Sequence, residues 1–320
     1  MTFATTRFRA HTLNSLFALP LLAFLTTVMF SLVSLVASAQ TAGKPARLAS
    51  IAAAKPVVKK LKKEIKTMRF CIYGDTRDGH AMHRKVIALM MKQDPEFVLQ
   101  TGDLVADGSS AAQWKIYDEV TAPLRAKVPF YISRGNHDPG GPGYEAHVTA
   151  PFTSGNKLYY SFDRGNAHFI SLCIDHETPY NSASAQYKWL VTDLDKTLQT
   201  KPEHIFVFFH VAPYSIGSHG SDLTVRKTLS PLFIKYGVRA VFTGHDHNYY
   251  HTTRDNITYI VTGGGGAPLY PVDAGKGAIE GDKYESVNNC VVCEITGSIV
   301  AFTALRADGT MLDRFSLHSK

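Results

Sequence analysis

The chain has 320 residues, 45% hydrophobic and 19% charged, enough apolar material for a sizeable core. That excludes disorder as the main state and excludes a multi-span membrane protein. The net charge of +7 points to an anionic partner, but residues 1–66 carry ten Lys or Arg against Glu64 alone, so the remainder is slightly acidic. A broad nucleic-acid-binding surface is therefore not indicated.

Arg7, Arg9 and His11 precede an uncharged apolar run from Leu16 to Val36, followed by Ala37-Ser38-Ala39. A basic start, an apolar middle and a small-x-small end describe a signal peptide over residues 1–39, cleaved after Ala39. The domain is then secreted or periplasmic. The run is near the length of a membrane-spanning helix, so an uncleaved N-terminal anchor, and with it membrane attachment, is the competing reading. Residues 40–67, rich in Ala, Lys and Pro, read as a basic linker.

Residues 68–320 read as one domain. Met68–Tyr73 is a predicted strand. Val86, Ile87, Met90 and Met91 form an apolar stripe at helical spacing over His80–Lys92. Phe97-Val98-Leu99 is a second strand, a helix follows near Ser110–Arg125, and Val128–Ser133 is a third strand. Leu158–Phe162 and His168–Ile174 form a hairpin about Asp163-Arg164-Gly165-Asn166. Then come a helix over Gln186–Gln199, the apolar strand Ile205–Phe209, a helix over Leu223–Tyr236, and strands at Val238–Phe242 and Ile257–Val261. Strands near Asn289–Ile295, Ile299–Leu305 and Met311–Ser316 close a layered α/β domain without repeats. Cys71, Cys173, Cys290 and Cys293 all fall in predicted strands. Cys290 and Cys293, three apart, point to opposite faces, so buried thiols are expected rather than a bridge.

The informative residues sit at strand ends. The first strand runs into Gly74-Asp75, the second into Gly102-Asp103, and the third into Gly135-Asn136-His137-Asp138. The fourth runs into His210 and the fifth into Gly244-His245-Asp246-His247. Ligands gather outside the carboxyl ends of strands in α/β sheets, and glycine lets backbone approach closely. Five such ends on one sheet would gather Asp75, Asp103, Asn136, His210, His245 and His247 into a metal-binding cluster. Neither Gly-x-Ser-x-Gly nor a phosphate-binding Gly-x4-Gly-Lys loop is present, so no covalent nucleophile is indicated. The run Gly263–Gly266 reads as close packing beside the metal loops.

In this order the blocks resemble the calcineurin-like metallophosphoesterase superfamily, and within it the purple acid phosphatases. Connecting stretches such as Phe208-Phe209-His210-Val211-Ala212-Pro213-Tyr214-Ser215 carry the same likeness. The resemblance implies a layered β-sandwich core flanked by helices. It implies two divalent or trivalent metal ions (Fe, Zn or Mn) bridged by Asp103. Asp75 and His247 would hold the first ion, and Asn136, His210 and His245 the second. His137 would stand near the leaving group with Asp138 orienting its ring. His219 corresponds to a phosphate-side histidine, or is a surface-loop histidine.

Two positions depart from the family pattern. Arg77 stands where a His ligand is usual, and Ala106 where the iron-binding Tyr is usual. Arg77 would instead hold a substrate phosphate or pair with a carboxylate. His80 and His83 are nearby substitute ligands, or else face solvent on the following helix. Residues 40–67 are too short for the N-terminal β-sandwich of larger relatives. The implied function is an exported hydrolase acting on phosphate monoesters by attack of a metal-bound hydroxide. Its partner would be a small phosphate-ester substrate. The alternatives are a phosphodiesterase acting on cyclic nucleotides, nucleic acid or lipid head groups, and a non-catalytic binding protein on a degraded scaffold. Ester choice is expected to depend on the loops around Tyr144, Tyr214 and His219.

Overall fold

The computed structural model describes residues 67–148 and 154–318. The expected signal peptide and the expected linker up to Lys66 lie outside the described residues. In chain order the elements are β1 (Thr67–Tyr73), α1 (His80–Lys92), β2 (Phe97–Gln100), α2 (Ala111–Arg125), β3 (Phe130–Ile132) and α3 (Gly143–His147). There follow β4 (Tyr160–Arg164), β5 (Ala167–Ser171), α4 (Ala185–Thr200), β6 (His204–Phe208), α5 (Leu223–Tyr236) and β7 (Ala240–Thr243). The last are β8 (Tyr249–Arg254), β9 (Ile257–Thr262), β10 (Lys283–Glu285), β11 (Asn289–Thr296), β12 (Ile299–Arg306) and β13 (Met311–Leu317).

Helix starts follow from capping chemistry. Ser110, Ser184 and Asp222 each accept a backbone N–H of the first turn of α2, α4 and α5. Gly237 ends α5 with φ 70°, a left-handed conformation that suits glycine.

The strands form two mixed sheets. One is six-stranded, in the order β13-β12-β11-β1-β2-β3; the other is seven-stranded, β10-β8-β9-β7-β6-β5-β4. Their inner faces meet through aromatic rings. Phe70 of β1 stacks on Phe97 of β2 at 4.8 Å and meets Phe169 of β5 edge-on at 5.3 Å. Phe242 of β7 lies 6.0 Å from Phe302 of β12. Such aromatic pairs add specific geometry to the apolar area they bury. The other face of the seven-stranded sheet is covered by α4 and α5 through Leu190, Leu194, Leu229 and Phe233. All four cysteines are buried and free.

The expectation that all five site-bearing strands share one sheet is corrected. β1, β2 and β3 belong to the six-stranded sheet, whereas β6 and β7 belong to the seven-stranded one. A strand apolar on both faces says where it is buried, not which strand it pairs with. The site therefore lies across the two layers.

Candidate metal centre

Each site loop begins where its strand stops. Asp75, Asp103 and His245 have φ of 58°, 53° and 70°. Non-glycine residues pay roughly 1–3 kcal/mol for such conformations and keep them only where neighbours enforce them. Here the loops brace one another. Asp75 N–H donates to the Gly102 carbonyl at 2.9 Å, and Thr76 N–H to that of Asp103 at 2.9 Å. His245 N–H donates to the Asp75 carboxylate at 3.0 Å.

The flanking glycines are required by crowding. A Cβ on Gly135 would fall 2.2 Å from Asp103 Oδ1, and one on Gly244 would fall 2.2 Å from Asp75 Oδ2. Gly263 lies under the same carboxylate, 2.8 Å for its hypothetical Cβ, which accounts for part of the four-glycine run. Gly244→Ala is expected to push Asp75 out of place and weaken metal binding about 10–100-fold, as loss of supporting contacts does at metal sites. Metal titration of the folded variant checks this.

The ring tautomers decide what the cluster can hold. His210 Nδ1 lies 2.9 Å from the Thr101 carbonyl, which can only accept, so Nδ1 carries the proton. In the neutral ring Nε2 then offers a lone pair. Yet Nε2 faces Asn136 Oδ1 at 3.0 Å, Asp103 Oδ1 at 3.3 Å and His245 Nδ1 at 3.2 Å. His247 repeats the pattern. Its Nδ1–H donates to the Pro268 carbonyl at 2.6 Å, and its Nε2 faces Asp75 Oδ1 at 3.5 Å. Asp75, Asp103 and His247 offer ligand atoms all within 4.8 Å of one another.

Lone pairs that point at one another are relieved by a positive charge between them, either a metal ion or a proton on His210 Nε2. Without the ion, the groups distort one another. Burial pushes the Asp75 carboxyl well up. His210, although burial works against it, is pushed up to about 10 by Asp103 and Asp75. Burial holds His245 down at about 2 and His247 at about 4. The mixed oxygen and nitrogen donors suit first-row transition ions, and the residues present fit such a group.

Residues 68–249, more than half the chain, match the calcineurin-like phosphoesterase family. The chain belongs to this family. Purple acid phosphatase 18 of Arabidopsis thaliana is 31% identical over 172 residues, 49% of this chain and 39% of that protein. Tartrate-resistant acid phosphatase type 5 of Oryctolagus cuniculus is 26% identical over 62% of this chain and 73% of that one. Among solved structures, a purple acid phosphatase from yellow lupin (Lupinus luteus) seeds shares the fold. Its TM-score is 0.69 at 19% identity, covering 80% of this chain and 54% of that one. The chain thus spans less than half the length of the Arabidopsis relative it matches.

Against the phosphoesterase family pattern, the first site is the unusual half. Arg77 donates from Nη1 to Asp78 at 2.8 Å and from Nη2 to the Tyr270 hydroxyl at 3.2 Å. Its Nε lies 3.6 Å from Asp103 Oδ2, with no hydrogen-bond partner. Neither substitute histidine joins the donor group. His83 is not solvent-facing as expected: it is buried, with Nε2 3.3 Å from the Tyr73 hydroxyl, and burial lowers it to about 3. His80, half-buried, lines a small cavity with Arg77 and Ala106.

Asp138 does not orient the His137 ring. Its carboxylate accepts backbone N–H groups of Gly135, Asp103 and Leu104 at 2.7, 3.0 and 2.8 Å. His137 Nδ1 instead donates to the Ala106 carbonyl at 2.9 Å, and its N–H to Asp103 Oδ1 at 3.0 Å. His219 is at the centre, its ring stacked on His245 at 4.0 Å. Tyr144 is a core residue whose hydroxyl donates to the Ile132 carbonyl, and Tyr214 packs on Tyr259 at 4.6 Å.

Two contributors carry little sequence signal. Tyr270 stacks on His247 at 4.0 Å, from a loop without a motif. Asp246, between the two ligand histidines, accepts N–H groups of His219 and Gly220 and so fixes the His219 loop.

Proposed function

We propose that this chain is an exported, metal-dependent phosphoesterase that hydrolyses phosphate monoesters. The observation that carries the reading is the convergence of Asn136, Asp103 and His245 on His210 Nε2 at 3.0–3.3 Å. Export is supported by the apolar run and Ala37-Ser38-Ala39. Asp75, Asp103 and His247 would hold one ion, and Asn136, His210 and His245, with Asp103 shared, the other. Bound cations in such a place acidify water and neutralise phosphoryl oxygens.

The chain's own residues supply the rest. His137 has Nδ1 committed to Ala106, so Nε2 is the atom open to substrate, on a side chain 34% exposed. Protonated there, it delivers the proton that the departing ester oxygen needs. The Arg77 Nη atoms, each with a second N–H besides the one given to Asp78 or Tyr270, would offer donors to phosphoryl oxygens. His219, beside His245, faces the same group.

One test is turnover of a monoester and a diester of one leaving group by chain loaded with Mn or Zn. Monoester preference of at least about tenfold, a difference of ~1.4 kcal/mol in barrier, is the expected result. Faster diester cleavage, or no hydrolysis with two ions bound, overturns it. The Arg77 guanidinium beside Asp103 favours a second reading, a binding protein that takes at most one ion and hydrolyses nothing; metal stoichiometry separates the two.

A further inference from the structure

One more histidine stands at the centre's mouth without a role in the reading above. His176 lies on the loop after β5, and it is exposed. Its φ is 71°, and among the described residues the other histidine in this conformation is His245. The two rings meet edge to face with centroids 5.7 Å apart, while His219 stacks on His245 at 4.0 Å. Thus His245 has His176 and His219 as neighbouring rings outside the donor set.

The loop that carries His176 is built, not incidental. The buried Asp175 accepts N–H groups of Glu177 and Thr178 at 3.1 and 2.8 Å through Oδ1. Arg134 donates from Nε to Asp175 Oδ2 at 2.5 Å and from Nη2 to Thr178 Oγ1 at 3.1 Å. Arg134 directly precedes Gly135-Asn136-His137. The same arginine therefore ties the His176 loop to the loop of a candidate ligand and of the candidate proton donor. A left-handed conformation in a non-glycine residue costs energy, and an exposed ring recovers little of it from burial. The Asp175 bonds hold the backbone in that pose, and the pose leaves the exposed ring beside His245.

We infer that His176 is a further substrate-contacting residue. Like His219 it stands beside His245, and it donates a hydrogen bond to an oxygen of the bound phosphoryl group. The inference rests on the phosphoesterase reading and adds a recognition residue to it.

The test is calorimetric binding of inorganic phosphate to the metal-loaded full chain. His176→Gly is the main variant, because glycine adopts φ 71° without strain and the fold is not at risk. His176→Asn keeps a donor and tolerates the same backbone. A hydrogen bond to a charged group predicts about tenfold weaker phosphate binding in His176→Gly, with partial recovery in His176→Asn. Metal content should stay constant and the melting temperature should hold or rise. Phosphate affinity within about twofold of wild type, or loss of metal in proportion to loss of phosphate, overturns the inference. Wild-type protein that hydrolyses monoesters while His176→Gly binds phosphate normally sinks only this assignment. Wild-type protein that binds no phosphate sinks the phosphoesterase reading and this inference with it.

Discussion

Replacing Asp103 by asparagine is expected to lower turnover at least about a thousandfold, equivalent to ~4 kcal/mol in barrier, and to deplete bound metal. The reason is how many groups share one carboxylate. Oδ1 lies 3.3 Å from His210 Nε2 and accepts the His137 N–H at 3.0 Å. Oδ2 lies 3.6 Å from Arg77 Nε and 4.0 Å from His137 Nε2. Although burial opposes ionisation, His210 and the His137 N–H hold this carboxyl well below the usual range, so it is the fixed negative charge of the site. Asparagine keeps the size and one acceptor but removes that charge. Its N–H₂ either faces Arg77, a donor that needs an acceptor, or stands beside His210 Nε2 where a metal-binding oxygen is required. Turnover and metal content measured on the same preparation check the expectation. Near-normal turnover would show that Asp103 is not shared between the two halves of the centre.

The lines of this centre were legible in the sequence because its chemistry sits at strand ends. An apolar run that stops at glycine and then Asp or His announces both the strand and the point where a side chain leaves the core. His80–Lys92 and Leu223–Tyr236 were readable to the residue from a 3.6-residue apolar period, which at the second agrees with the Asp222 cap and Gly237. β8 was missed because Tyr249–Arg254 follows His247 so closely that it reads as more of the loop. β10, Lys283–Glu285, has no apolar alternation to show.

What sequence could not convey is pairing across space. The division of the site between two sheets, the Tyr270 ring on His247 and the Arg134–Asp175 tie depend on packing between distant segments. The role of Asp138 was misread for the same reason. The family resemblance implied the ring of His137, while the carboxylate's geometry selects backbone N–H groups from two different loops.

That geometry sets the second large effect. Asp138→Ala is expected to destabilise the domain by about 4 kcal/mol and to cost metal affinity, rather than to slow only a proton transfer. The side chain is fully buried. It gathers the N–H groups of Gly135, Asp103 and Leu104, with that of Val105 further out at 3.4 Å. Burial and the neighbouring Asp103 push its carboxyl up to about 7, while those N–H donors pull the other way. Alanine leaves these donors in a dry pocket with no acceptor, each costing roughly 1–3 kcal/mol. It also frees the Asp103 loop from the Asn136 loop, so that the two halves of the donor set no longer hold their spacing. Urea unfolding and metal titration should therefore change together. A variant with wild-type stability and full metal but slowed turnover would return Asp138 to the role of orienting His137. A fall in all three would establish it as the brace between the second and third site loops.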